Sequence, residues 1–250
     1  MIRRSSTPVS VAALATIAAL LTACTDDASD QASTDADTPT SSATPSETSQ
    51  SPTGWTPLPL EGDEEISLPG RHGMTANGLP GLPYAVVEVP EGFSNFGGWT
   101  LFKEGLDEDA GEFTGMGYWT ISGVFRDPCA ADFDEVGNSV EEVAEALQQQ
   151  QRSRVTAPEP VSIDGYQGLY LELRMPNDTD LGQCGQYDVW VSDPGGGRYM
   201  EVRGQLDRNW ILDVDGDVVV LQITASPGVP EPARDQLTGM VESVDFIAWG

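Results

Sequence analysis

The sequence predicts an α+β fold: a curved antiparallel sheet covered by an internal helix and a C-terminal helix, preceded by a signal peptide and a disordered linker. Three observations lead there. Asp164-Gly165 and Asp215-Gly216 each separate two apolar, β-rich runs, and Asp-Gly supplies the positive φ angles of a two-residue hairpin turn, so neighbouring strands run antiparallel. Two other stretches, after Ser139 and after Glu231, repeat apolar residues at helical spacing. Strands and helices do not alternate with the βαβ rhythm that builds a parallel sheet.

From the N-terminus, Arg3 and Arg4 precede an uncharged apolar run, Val9 to Leu21, that is too short to span a bilayer and reads as an export signal. Ser5, Ser6 and Thr7 stand where the folded-protein export route expects a hydrophobic pair, so the general secretory route is predicted. Leu21, Thr22 and Ala23 lead into Cys24, an ending that resembles a bacterial lipoprotein signal. The resemblance implies that residues 1–23 are removed and that the Cys24 thiol receives a diacylglyceryl group at the new N-terminus. No second apolar run reaches the about 18 residues of a transmembrane helix. Residues 24–54 are rich in Ser, Thr, Asp and Pro and hold no large apolar side chain. Such a segment cannot offset roughly 1–2 kcal/mol of backbone entropy per residue. It is predicted to be a tether with a reach of roughly 30 Å.

Residues 55–250 suit a single globular α+β domain with one sizeable core. The strand candidates are Tyr84 to Val89, Tyr118 to Phe125, Val161 to Ile163, Gly168 to Met175, Tyr187 to Val191, Tyr199 to Arg203, Trp210 to Val214 and Val218 to Ala225. Ser139 and Glu142 form a capping box for the first helix. Val140, Val143, Ala144 and Leu147 make its apolar stripe, and glutamines 148–151 are expected to finish it, exposed. The second helix is predicted from Glu231 to Ser243, with Pro232 in its first turn and Leu237, Met240, Val241 and Val244 as its stripe.

The formal charge of −28, with Lys103 the only lysine, excludes nucleic acid as a partner. Anionic lipid headgroups would repel such a surface, so the membrane link falls to acyl chains and not to a basic patch. Besides Cys24 the chain has two cysteines, Cys129 and Cys184. In an exported domain such a pair predicts one disulfide in preference to a metal site or a nucleophile. The bond closes a loop of ~55 residues, which loop-closure entropy values at roughly 4 kcal/mol.

Motifs for chemistry are sparse, and no cofactor is implied. There is no Gly-x-Ser-x-Gly and no His-Glu-x-x-His, and the sole histidine, His72, lies in a Gly-rich segment predicted to be mobile. Asp213, Asp215 and Asp217 alternate around Gly216, which fits either a calcium loop or a hairpin turn. The turn is favoured, because an EF-hand loop places its glycine sixth and a glutamate twelfth. Asn177, Asp178 and Asp180 make another oxygen-rich loop that reads as a solvated turn. The aromatic residues, among them Trp99, Trp119, Trp190 and Tyr199, fit core and edge packing or the lining of a groove. Trp190 and Tyr199 are the candidate contacts for a ligand or partner.

Asp127-Pro128-Cys129, the capped helix, Ile163-Asp164-Gly165-Tyr166, Cys184 and Trp210-Ile211-Leu212-Asp213-Val214-Asp215-Gly216 follow one another in an order that resembles a group of actinobacterial cell-envelope lipoproteins of uncharacterised function. The resemblance covers residues 127 to 247. The element order is also similar to the Mog1/PsbP-like sandwich, in which helices cover an antiparallel sheet. Both imply binding or accessory work and no catalytic residues. The expected function is a non-enzymatic binding or interaction module on the outer face of the cytoplasmic membrane. It would be held there by the lipid on Cys24, engaging an envelope protein or a small ligand. A calcium-binding structural module and an envelope hydrolase using a carboxylate pair are the alternatives.

Overall fold

Short runs of β-branched and aromatic residues, punctuated by glycine, break the chain into many strands and few helices. In the computed structural model, which describes residues 54–60, 63–66, 69–192 and 196–249, these are β1 (Thr56–Pro57), β2 (Asp63–Glu65), β3 (Gly70–Met74), β4 (Tyr84–Val89), β5 (Phe93–Phe96), β6 (Thr100–Lys103), β7 (Thr114–Thr120), β8 (Gly123–Phe125) and β9 (Phe133–Glu135), then α1 (Val140–Gln148). They continue with β10 (Arg154–Val155), β11 (Glu159–Ile163), β12 (Tyr166–Arg174), α2 (Leu181–Cys184), β13 (Tyr187–Val191), β14 (Gly197–Met200), β15 (Leu206–Val214), β16 (Asp217–Ala225), α3 (Glu231–Glu242) and β17 (Asp245–Ile247). The expected signal peptide, Cys24 and the tether up to residue 53 lie outside the described residues.

The fold class is α+β, mostly antiparallel, and the sheets do not close into a barrel. The expected single sheet is three. The largest runs β10-β12-β15-β16-β7-β6-β5-β2, with β11 also on β12; the smaller ones run β1-β3-β4-β17 and β14-β13-β8-β9. The β1–β3 pair is parallel. The predicted strand Tyr118 to Phe125 is divided at Ile121 and Ser122: β7 stays in the large sheet while β8 joins β13. Ser122 N donates to Val191 O at 2.9 Å and Ser192 Oγ to Thr120 O at 2.7 Å, which stitch the crossing. Both Asp-Gly hairpins form as predicted, with Ile163 opposite Tyr166 and Val214 opposite Asp217. Asp164, Gly165, Asp215 and Gly216 all have positive φ, as a two-residue turn requires.

Alternation along the central strands divides the core between the two faces of the large sheet. One face sends Tyr118, Leu212, Leu221 and Ile223 against Leu237 and Val241 of α3 and Val87 of β4. The other sends Leu171, Leu173, Ile211 and Val220 against Val143 and Leu147 of α1 and Val189 of β13. Each such side chain contributes roughly 1.5–3 kcal/mol on burial. Ser139 caps α1 and is held by Glu142: Ser139 Oγ accepts from Glu142 N at 3.2 Å and donates to Glu142 Oε2 at 2.9 Å.

Two expectations are corrected. Gln150 is buried, unlike Gln148, Gln149 and Gln151; its Nε2 donates to Phe125 O at 2.9 Å and Val189 O at 3.0 Å, satisfying two carbonyls where β8 and β13 meet the helix end. His72 lies on β3, paired with Thr56 of β1 and Val87 of β4, so its Gly-rich segment is a sheet strand. Cys129 and Cys184 are joined in a disulfide, which ties the segment after β8 to the end of α2.

Candidate functional site

The sequence of β7, Thr-Gly-Met-Gly-Tyr-Trp-Thr, gives its two faces opposite characters. Met116 and Tyr118 enter the core below α3, while Gly115, Gly117 and Trp119 face the other way. Register then lines up Phe102, Gly115 and Thr224 across three strands, and Thr100, Gly117 and Gln222 in the next row. Helix α1 and strand β13 cover this face over β12 and β15. Over β5, β6 and β7 the glycines leave it hollow.

Both glycines are required by close approach. A Cβ on Gly117 would stand 2.3 Å from Trp119 Nε1, because the indole lies across the strand, and one on Gly115 would stand 2.6 Å from Leu101 O. The resulting groove holds about 510 Å³, within the range of small-molecule sites. Phe96, Trp99, Phe102 and Trp119 line it. Trp99 meets Trp119 edge to face at 4.4 Å between centroids, and Phe96 meets Trp99 at 5.4 Å. Phe96 is 42% exposed and Tyr199, which also lines the groove, 41%. A larger hollow of about 640 Å³ beside the disulfide is lined by Arg152, Asp178, Asp180 and other polar groups and has no aromatic wall.

A buried polar cluster pins β14, and with it Tyr199, to the large sheet. Arg198 Nε and Nη2 donate to the two carboxylate oxygens of Asp207, both at 2.9 Å, and Nη2 also donates to Thr224 Oγ1 at 2.7 Å. Gln222 Nε2 donates to Asp207 Oδ2 at 2.5 Å and Gln205 Nε2 to Thr224 Oγ1 at 2.9 Å. Asp207 has no exposed surface. The fork geometry uses up both charges, so the pair positions the wall and Arg198 offers no free charge to the groove. Two floor atoms remain without a partner: Trp119 Nε1 and Thr100 Oγ1, each on a residue 6% exposed. Around the rim stand Glu104, Glu108, Glu112 and Glu201.

Of the two candidate contact residues, Tyr199 is in the groove wall. Trp190 is not at a surface: it is 1% exposed, and its ring backs Trp119 at 6.1 Å, because its side of β13 faces the core. Asp213, Asp215 and Asp217 are exposed at the β15–β16 turn. Asp213 Oδ1 accepts from Gly216 N at 2.9 Å, and Asp215 Oδ2 accepts from Tyr166 Oη at 3.2 Å, so the first two carboxylates serve the hairpin and its neighbour. Among the described residues no group of three or more His, Cys, Asp or Glu side chains is placed to hold a metal ion. Asp180 caps α2, accepting from Gly182 N at 3.1 Å.

Sequence reasoning missed Phe96, Thr100, Phe102, Arg198 and Asp207. One signal was present: Gly115-x-Gly117 directly before Tyr118-Trp119 marks a strand face cleared for flat rings. Compared with known proteins, the chain matches no family model and no curated protein.

Proposed function

We propose that this protein is a binding module of the cell envelope, held on the outer face of the cytoplasmic membrane by a lipid on Cys24, with the groove over Gly115 and Gly117 as its binding surface. The observation that carries the binding reading is the groove. Two exposed aromatic residues along it, Phe96 and Tyr199, with the strand of Tyr199 fixed by a buried ion pair, are costly in water unless something covers them. Arg198, which lines it, is locked to the buried Asp207, and the only histidine is in another sheet; these facts favour binding over catalysis. The anchor rests on the lipoprotein-like Leu21-Thr22-Ala23-Cys24 and on the pattern from residue 127 to 247. The order of the elements, with helices on both faces of an antiparallel sheet, is the ground for including a Mog1/PsbP-like relationship in the proposal. Several aspartates in residues 24–54 would keep the acidic domain off the headgroups.

The test is a titration of the full chain with three probes of different charge: choline, cellobiose and benzoate. Binding is read by tryptophan fluorescence, because Trp99 and Trp119 both line the groove. At least one probe should saturate the signal, and Tyr199→Ala should weaken it about tenfold, the loss of one aromatic contact of roughly 1.4 kcal/mol, with the melting temperature unchanged. Saturation by none of the three, or binding indifferent to Tyr199→Ala, would overturn the reading.

A further inference from the structure

We infer that the groove takes an organic cation, a small ligand with a substituted ammonium centre and an oxygen a few bonds away; the inference rests on the groove being the binding surface. Four carboxylates stand on the rim, from Glu104, Glu108, Glu112 and Glu201. Two cations, Arg198 and Lys103, also belong to the lining, and both are engaged elsewhere. Arg198 is spent on Asp207, and Lys103 directs its ammonium to the carbonyls of Glu91 and Gly92, at 3.4 and 3.3 Å, and to the Phe93 ring. Phe93 belongs to the core on the opposite face of the sheet, so that charge points away from the hollow. The negative faces of aromatic rings add to the field of the rim, and a cation shed of water among several rings is held by both. A carboxylate or phosphate ligand would meet the repulsion of the four rim carboxylates.

The floor supplies the second half of the recognition. Thr100 Oγ1, on the strand beside Gly117, lines the groove and is buried without a partner, whereas Trp119 Nε1 lies against Gly117 itself. Leaving such a hydroxyl unpaired is unfavourable, and a ligand oxygen seated on the floor would pair it. Rim acids and the floor hydroxyl therefore select the two ends of one molecule: charge outward, oxygen inward.

Three probes separate the parts: choline, its neutral carbon isostere 3,3-dimethylbutan-1-ol, and tetramethylammonium, which keeps the charge and lacks the oxygen. Calorimetric titration of the full chain at low salt should show choline binding about tenfold tighter than the isostere. Tetramethylammonium should bind several-fold weaker than choline, and Thr100→Val should erase that difference. Raising the salt should weaken choline and leave the isostere unchanged. The inference is overturned if the isostere binds as tightly as choline, if choline does not bind, or if added salt leaves its affinity unchanged. Cellobiose or benzoate binding that responds to Tyr199→Ala while choline fails would sink the cation and leave the groove standing; failure of every probe would remove both.

Discussion

Asp207 shows what a single residue can do to this fold. Its carboxylate is wholly buried among Arg198, Gln205 and Gln222, where the cost of removing two charges from water is matched by a bidentate pair and two amide donors. Removing one partner strands the other. Asp207→Ala is expected to cost about 3–5 kcal/mol in urea unfolding, whereas Arg198→Met with Asp207→Leu, which removes both charges, should recover most of it. Asp127 gives a pH-dependent case at the surface. Partial burial pushes its carboxyl up, but the Cys129 N–H and the Arg152 guanidinium together outweigh that and hold it below the ordinary carboxylate value. A carboxyl lowered in the folded state stabilises above its unfolded pKa of about 3.9 and loses that contribution as pH falls through the folded value. Asp127→Asn should therefore be less stable than the parent at pH 7, and the gap should close steadily below about pH 4 in thermal melts taken across the range.

At the scale of elements, the strongest tether among the described residues is the Cys129–Cys184 bond between the end of α2 and the segment after β8. Cys129→Ser with Cys184→Ser is expected to lower stability by roughly 2–4 kcal/mol, read as a lower urea midpoint with an unchanged secondary-structure spectrum in water. Elements with local causes were legible in the sequence. The Asp-Gly turns specify their own backbone, Ser139 and Glu142 their own cap, and β4, β13 and α3 fall within a residue of expectation, while α1 starts as expected and ends at Gln148, before the glutamine run does. Elements with distant causes were not. Strands β5 and β6, Phe-Ser-Asn-Phe and Thr-Leu-Phe-Lys, are too short and mixed to signal themselves, and they become strands only against β7. The break in Tyr118 to Phe125 was hidden for the same reason, since the β13 strand that draws β8 away lies some sixty residues further on, roughly the separation of a slow, non-local contact.

Across the whole molecule, the large sheet is covered on one face by α3 and β4 and on the other only in part, and the uncovered part is where aromatic side chains collect. Tyr199 was visible in advance as an aromatic on a candidate strand. The rest of the groove was not, because it exists only once Gly117 is placed between Thr100 and Gln222, more than a hundred residues apart in the chain, a matter of register that no local pattern carries. A second aromatic cluster, Trp55, Tyr84 and Trp249, lies against β3 and β4, with Tyr84 and Trp249 stacked at 4.5 Å. It provides an internal control. The most direct measurement is the indole N–H spectrum of the full chain labelled with nitrogen-15 tryptophan, recorded while choline, cellobiose and benzoate are added in turn. The groove account predicts that the Trp99 and Trp119 signals move to saturation with at least one probe while Trp55 and Trp249 stay fixed. Movement confined to Trp55 and Trp249, or no movement with any probe, would contradict it.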